Sequence, residues 1–352
     1  MGASASLIDD NIPPDIKTLL DVCERQKTKI SESESDLVEK EMAKMFKGHN
    51  NIIDRLTGHT KSQLQRLFLY HASTLRHLDD LVQAGNLYAK FIKQLVKTKE
   101  ELEWEAITTS TKPDYDEELL VEIIGCSTTE EIQNLDKVFT KEKSFCLADL
   151  FAAQTKPDSQ LRHLIERILR FDRDESKTVD KNLAIKQASI IHKAGAARLI
   201  GVDEEPILEI LSTASRAQCA AINEAYIDIH KIKLERAINM KFKGNCGKLM
   251  VLWTQPIASA IVTCTTYLTQ KLLVDKNAII NFFAKYEKDA LSAADEASKN
   301  FHKKSLAELV NQGISGTLHR AVKGWIELPT PDKVSCVVCA LYSIDCRLRF
   351  VY

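Results

Sequence analysis

An all-α array of four repeated units, each of about five helices, is the fold class that this sequence predicts. Three observations predict it. One phrase recurs as IIDRLTGHTKSQLQRL from Ile52, LLVEIIGCSTTEEIQNL from Leu119, ILEILSTASRAQCAAI from Ile207 and IINFFAKYEKDALSAA from Ile279. A second phrase follows each copy: LDDL from Leu78, LADL from Leu147, LERA from Leu234 and LAEL from Leu306. The matched positions Ile52, Leu120, Ile207 and Ile279 step by 68, 87 and 72 residues, and the second phrase steps by 69, 87 and 72. Two independent markers with one period indicate a duplicated unit. Third, the apolar residues within each copy fall at helical spacing, as in Ile52, Ile53, Leu56, Leu64 and Leu67.

Each element has its own local reason. A polar break inside the first phrase carries a helix-start signal, because Thr60 with Gln63, Thr128 with Glu131, and Ser215 with Gln218 each fit a capping box. In the fourth copy Glu287 and Ala290 stand at that place. The second phrase opens a short helix, a polar break follows, and a further amphipathic helix such as LRHLIERIL from Leu161 closes the unit. The expected division is a tail over 1–36, units over 37–106 and 107–172, a connector over 173–183, units over 184–256 and 257–328, and an extension over 329–352. The tail contains a predicted helix, DIKTLLDVCERQK, behind Pro13 and Pro14, then the acidic, serine-rich SESESD. The connector, within a charged stretch starting at Phe171, accounts for the longest step and divides the array two and two.

Composition narrows the function classes. At 352 residues with 44% apolar content the chain can bury real cores, and a formal net charge of -1 removes the global electrostatic case for nucleic acid. Nine scattered cysteines with no secretory leader before them predict a reduced, intracellular chain whose thiols serve as small core residues. The most apolar run, IASAIVTCTTYL from Ile257, is broken by threonines and reads as a buried helix, not a span. MGASAS places Gly2 and Ser6 in the pattern for N-myristoylation, so Gly2 is the candidate lipid-attachment site. No phosphate-cradling loop, HExxH or G-x-S-x-G elbow is present, which argues against an enzyme. Cys336 and Cys339, with Cys346 nearby, make half a zinc-like spacing without a second ligand pair, so buried thiols are the reading.

On these residues the chain resembles the annexin superfamily, and its departures resemble the divergent alpha-giardin branch. The strongest match is GVDEEPILEILSTASRAQCAAINEAY from Gly201 with KGNCGKLMVLWTQP from Lys243, and EIIGCSTTEEIQNLDKVF from Glu122 is nearly as close. The resemblance spans about Leu37 to Leu328. It implies a curved four-unit disc whose loops hold calcium against an anionic phospholipid surface. Calcium there takes carbonyls from a glycine-rich loop and a carboxylate about forty residues later, as a hard cation requires.

Neither half of that pair survives. In the third unit the loop reads Leu199, Ile200, Gly201, Val202, and Lys241 stands at the acid position. In the second, Lys112, Pro113, Asp114 and Tyr115 replace the loop and Gln154 replaces the acid. In the fourth, Lys271 to Val274 is matched with Gly313, and in the first a short loop near Gly48 is matched with Ala84 or Gly85. The turn arginine that the resemblance implies is replaced by His59, Ser127, Ala214 and Lys285 or its neighbour. Asp114, Asp116, Asp203 and Glu204 remain near the loops, where acids also complement the helix dipole.

The expectation is therefore a non-enzymatic scaffold that binds an anionic phospholipid membrane surface or cytoskeletal proteins, with degenerate calcium sites and no cofactor. Lys112, Arg198, Lys241, Lys243 and Lys271 are the candidate lipid contacts. The alternative is a calcium-dependent phospholipid binder using non-standard ligands. Self-association and a cytoplasmic, peripheral-membrane or flagellar setting belong to the same resemblance.

Overall fold

The computed structural model describes residues 85–109, 117–143, 146–156, 158–271 and 273–327, with Lys61 and Gln83 as isolated positions. The described residues form sixteen helices and no strand. Gly2, the predicted tail helix, both phrases of the first unit, Lys112, Asp114 and the extension over 329–352 lie outside them.

Contacts group the chain into two compact units, one of residues 1–97 with 320–352 and one of residues 98–319. In the first, α1 (Leu87–Leu95) starts where the Asn86 side chain accepts the amides of Tyr88 and Ala89, both at 3.1 Å, and it buries Phe91, Ile92 and Leu95. Ala321, Val322 and Trp325 are also buried there, on the last helix.

From Lys99 onward one pattern occurs three times, its last helix passing into the smaller unit at Arg320. The first run is α2 (Lys99–Thr109), α3 (Glu117–Gly125), α4 (Thr129–Lys143), α5 (Leu147–Gln154) and α6 (Gln160–Ile168). The second is α7 (Lys181–Ala194), α8 (Glu204–Thr213), α9 (Arg216–His230), α10 (Leu234–Lys241) and α11 (Gly244–Thr254). The third is α12 (Ile257–Thr269), α13 (Lys276–Ala284), α14 (Lys288–His302), α15 (Leu306–Val310) and α16 (Gly316–Glu327). In each run the first helix packs on the third: α2 on α4, α7 on α9 and α12 on α14. Across runs, α3 packs on α11 so closely that a Cβ added at Gly125 would lie 2.6 Å from the Leu252 Cβ.

A hydrogen bond repeats with the period. The Leu147 amide donates to Asp136 Oδ1 at 2.7 Å, Leu234 to Asn223 Oδ1 at 3.0 Å, and Leu306 to Asp295 Oδ1 at 2.7 Å. Each bond spans eleven residues and satisfies the first amide of the run's fourth helix, which otherwise has no intrahelical acceptor. The third helix of each run thereby holds the start of the fourth.

The helix starts follow the caps. Thr128 and Glu131 form the reciprocal box, with bonds of 2.7 and 3.2 Å. Ser215 accepts the Gln218 amide at 3.0 Å, but the Gln218 side chain turns away from the cap. It accepts from the Asp180 amide at 2.9 Å and donates to the Asp180 carbonyl at 3.0 Å, tying α9 to the start of α7. Glu287 stands at the N-cap of α14 without a side-chain cap bond, and Thr60 and Gln63 lie outside the described residues. Reciprocal boxes also occur at Thr98 with Glu101 and at Ser305 with Glu308.

The apolar run from Ile257 is α12, which buries Ile261, Val262, Cys264 and Leu268. Its threonines fit because Thr265, Thr266 and Thr269 return their hydroxyl protons to carbonyls four residues back, at 2.8, 3.0 and 2.9 Å. Among the described residues no helix is long and apolar enough to cross a membrane. Residues 171–180 form no helix, yet they are pinned: Arg173 lies 4.2 Å from the Trp253 ring centre and donates to the Trp253 carbonyl at 3.0 Å. The Asp174 amide meets the Thr213 carbonyl at 2.9 Å, and Asp180 caps α7 through the Leu183 amide at 2.9 Å.

Candidate functional site: a loop held by a lysine

The loop over 195–203 joins α7 to α8. Gly195 ends α7, Gly201 turns the chain at φ +71°, a conformation glycine adopts without steric cost, and Asp203 begins α8. The Asp203 amide donates to the Ala194 carbonyl at 2.8 Å, which closes the loop at its base. Into this loop comes Lys241, the last residue of α10. Its Nζ donates to the Arg198 carbonyl at 2.8 Å and to the Gly201 carbonyl at 3.2 Å.

Two backbone oxygens of one loop thus converge on a cation, and that cation is covalently part of the chain. Calcium needs six to eight oxygens, usually including a carboxylate. Here the acid's place is filled by an ammonium that occupies two of the carbonyls and would repel a divalent ion. The third unit does not fit calcium. Nor does the fourth. Gly313 stands at its acid position, and a Cβ there would lie 3.2 Å from Ile279 Cδ1, Thr269 Cγ2 and Val274 Cγ1, so these apolar neighbours would have to give by a few tenths of an ångström to admit a side chain. In the second unit Gln154 ends α5, and its side chain lies outside the described residues, as do Lys112 and Asp114.

Polar contacts run from α11 through the start of α3 to Lys271 in the fourth unit. Lys243 begins α11 two residues after Lys241 and donates to the Asn239 carbonyl at 2.6 Å. In α11, Asn245 donates to Glu117 at 2.8 Å, and Lys248 lies 3.3 Å from Glu118, both glutamates in the first turn of α3. Glu118 also pairs with Lys271, at the foot of the loop over 270–275, and that ammonium holds its carboxyl below the usual carboxylate range. The described candidate cations are Arg198, Lys241, Lys243 and Lys271. Their ammonium and guanidinium groups are not equivalent, however. Lys241 is turned inward on the loop and Lys271 is paired with an acid, whereas Arg198 is exposed and its carbonyl is the group engaged by the lysine.

Sequence reasoning passed over the side chains that stand out most. Leu199 is 101% exposed, Ile200 88% and Leu273 87%, the three highest values among the exposed large apolar residues described. The signal was present, since two adjacent aliphatic residues lie between a helix-ending glycine and a helix-starting aspartate. At the 72-residue step Leu273 matches Gly201, so each loop exposes apolar side chains at its own positions.

A second polar cluster is buried. Lys285, at the end of α13, pairs with Glu122 of α3 and lies 3.8 Å from Glu103 of α2. Burial alone would lower the Lys285 ammonium, but Glu122 and then Glu103 raise it above its usual range. Burial pushes Glu103 up to about 7, against the opposing pull of Lys99 and Lys285. Arg216, two residues past Ala214, is the first residue of α9. It donates to the carbonyls of Leu252 and Gln255 at the end of α11, and to Gly125 and Ser127 at the end of α3.

The annexin family profile matches residues 187–253. Annexin A5 of Gallus gallus is 29% identical over 210 residues, covering 58% of this chain and 64% of that protein. Annexin A1 of Homo sapiens is 27% identical over 239 residues, covering 66% of each. The chain thus matches less than two thirds of these relatives' own length. Among solved structures, calcium-bound alpha-14 giardin superposes with a TM-score of 0.69 at 15% identity, over 83% of this chain and 99% of that one. By family profile over residues 187–253, sequence relatives and shared helical fold, the chain is similar to the annexin superfamily and to the alpha-giardins.

Proposed function

We propose that this protein is a non-enzymatic scaffold that binds anionic phospholipid surfaces along its loop edge without calcium at the third and fourth units. Annexins typically bind anionic phospholipid, which supports the partner class. The observation that carries the calcium-free part is the Lys241 ammonium on the carbonyls of Arg198 and Gly201. Gly313, walled by apolar side chains, supports the same reading in the fourth unit. Acylation of Gly2 belongs to this proposal as a second anchor, because one myristoyl chain alone binds a membrane only marginally. Cytoskeletal proteins and further copies of the chain are the protein partners such a scaffold would take.

Co-sedimentation with vesicles of phosphatidylserine and phosphatidylcholine, in calcium and in chelator, tests the proposal. Equal binding in both conditions is the expected result. Binding that appears only with calcium contradicts the loss of the ion, and no binding in either condition contradicts the membrane role.

A further inference from the structure

We infer that His192 and His230 form a proton-sensitive joint between α7 and α9: their stacked rings accept one proton, and a second one parts the helix ends and loosens the loop over 195–203. The joint goes beyond the membrane reading and stands whatever the loop binds. His192 lies in the last turn of α7, and His230 is the last residue of α9. Their ring centres are 3.6 Å apart with the planes at 9°. Tyr226, fully buried on α9, touches both. Its hydroxyl meets His192 Nδ1 at 3.1 Å, and its ring centre lies 4.7 Å from that of His230. At the 72-residue step His302 matches His230 but Cys264 matches His192, so the fourth unit has no counterpart of the pair.

The two rings take protons unequally. A protonated His192 still donates from Nδ1 to the Tyr226 hydroxyl, and the C-terminal end of a helix favours a cation. His230 has no such outlet. Its Nε2 is buried without a hydrogen-bond partner among the described residues, so a proton added there meets no acceptor. Burial first, and then the neighbouring His192, hold His230 below the ordinary histidine range. Two positive rings in face contact repel, and the surrounding helices do little to offset it. On α8, Glu204 accepts from Gln160, while Glu205 and Glu209 are paired with Arg167. Glu224 and Asp228 of α9 and Glu235 of α10 are exposed to solvent. Lys193, Arg198, Lys231 and Lys233 add positive charge at this end, and α11 carries no acid.

The joint reaches the loop through both helices. α7 runs into the loop, where the Ala197 amide donates to the His192 carbonyl at 2.9 Å and the Asp203 amide to the Ala194 carbonyl at 2.8 Å. α9 holds the start of α10 through Asn223 and Leu234, and α10 ends in Lys241. The loop carbonyls therefore belong to the α7 side and the lysine that binds them to the α9 side. Parting the two helix ends draws one from the other. The sign follows from linkage. A base held below its ordinary value contributes stability that is present above that value and is lost as pH falls through it, opposite in direction to Glu103.

Hydrogen–deuterium exchange of the full-length protein at about pH 5.5 and 7.5 tests the joint. Wild type is compared with His230→Phe, which keeps a ring in the stack but takes no proton, and with exposed His302→Phe as the control. Comparison at one pH cancels the intrinsic exchange rate. At the lower pH, peptides over 187–203 should exchange roughly 10-fold faster in wild type and His302→Phe than in His230→Phe, and at the higher pH all three should agree. Equal protection of wild type and His230→Phe at the lower pH overturns the joint. A second readout needs no variant: ring-proton resonances of the wild type should show His192 and His230 titrating in two coupled steps, the later one below the ordinary histidine value. Two independent titrations near that value overturn the joint, and they decide alone should His230→Phe fail to fold.

Discussion

Lys241 and Lys285 both meet oxygen, one at the surface and one in the interior, and the difference decides what each can do. Lys285 is almost fully buried between Glu122 and Glu103, where removing one partner leaves a charge without compensation. Glu103 is the weaker partner, because 3.8 Å is too long for a hydrogen bond and its Oε1 has no acceptor or donor partner among the described residues. Its carboxyl is raised from 4.5 to about 7, chiefly by burial. A raised acid contributes stability that is fully present below its unfolded value and is lost as pH climbs through the folded one. Between pH 5 and 8 the wild type should therefore lose stability that Glu103→Gln retains. Urea midpoints for both proteins at the two pH values check this, and parallel pH dependences would contradict it. The substitution of a lysine for the turn arginine was visible in the sequence. Its two carboxylate partners were not, since Glu103 and Glu122 come from helices far earlier in the chain.

Among the elements, the joints between helices carry the clearest repeat. Asp136, Asn223 and Asp295 each hold the first amide of the next helix, eleven residues on. The short α15 depends on this most, having only five residues in which to offset a costly nucleus. Asp295→Ala should cost about 1–2 kcal/mol, the usual range for losing such an acceptor or cap. Asp136→Asn should cost less than Asp136→Ala, because the third unit already uses an asparagine there. Chemical denaturation of the three variants measures this, and equal losses for Asn and Ala would contradict it. Helix joints were legible in the sequence where their chemistry is local: apolar spacing and the Thr128 with Glu131 box depend on residues within one or two turns. The Ser215 box was half right for the same reason. Gln218 finds better partners at Asp180, 38 residues away, and no short-range pattern encodes that.

Across the described residues, the five-helix run recurs three times while the loops of its copies differ. The period and the all-helical class were readable because four copies repeat the same apolar positions and three of them the same capping pair. Lys241 and Gly313 at the positions where the resemblance implies acids were also readable. What spacing alone does not disclose is where the lysine's ammonium goes, or that Leu199, Ile200 and Leu273 project instead of packing. Both depend on the fold that the loop makes around Gly201. The most direct measurement is a crystal soaked in millimolar calcium, examined for anomalous scattering at the loop over 195–203. The account predicts the Lys241 Nζ on the Arg198 and Gly201 carbonyls with no ion between them. An ion seated on those carbonyls, with the lysine displaced, would contradict it.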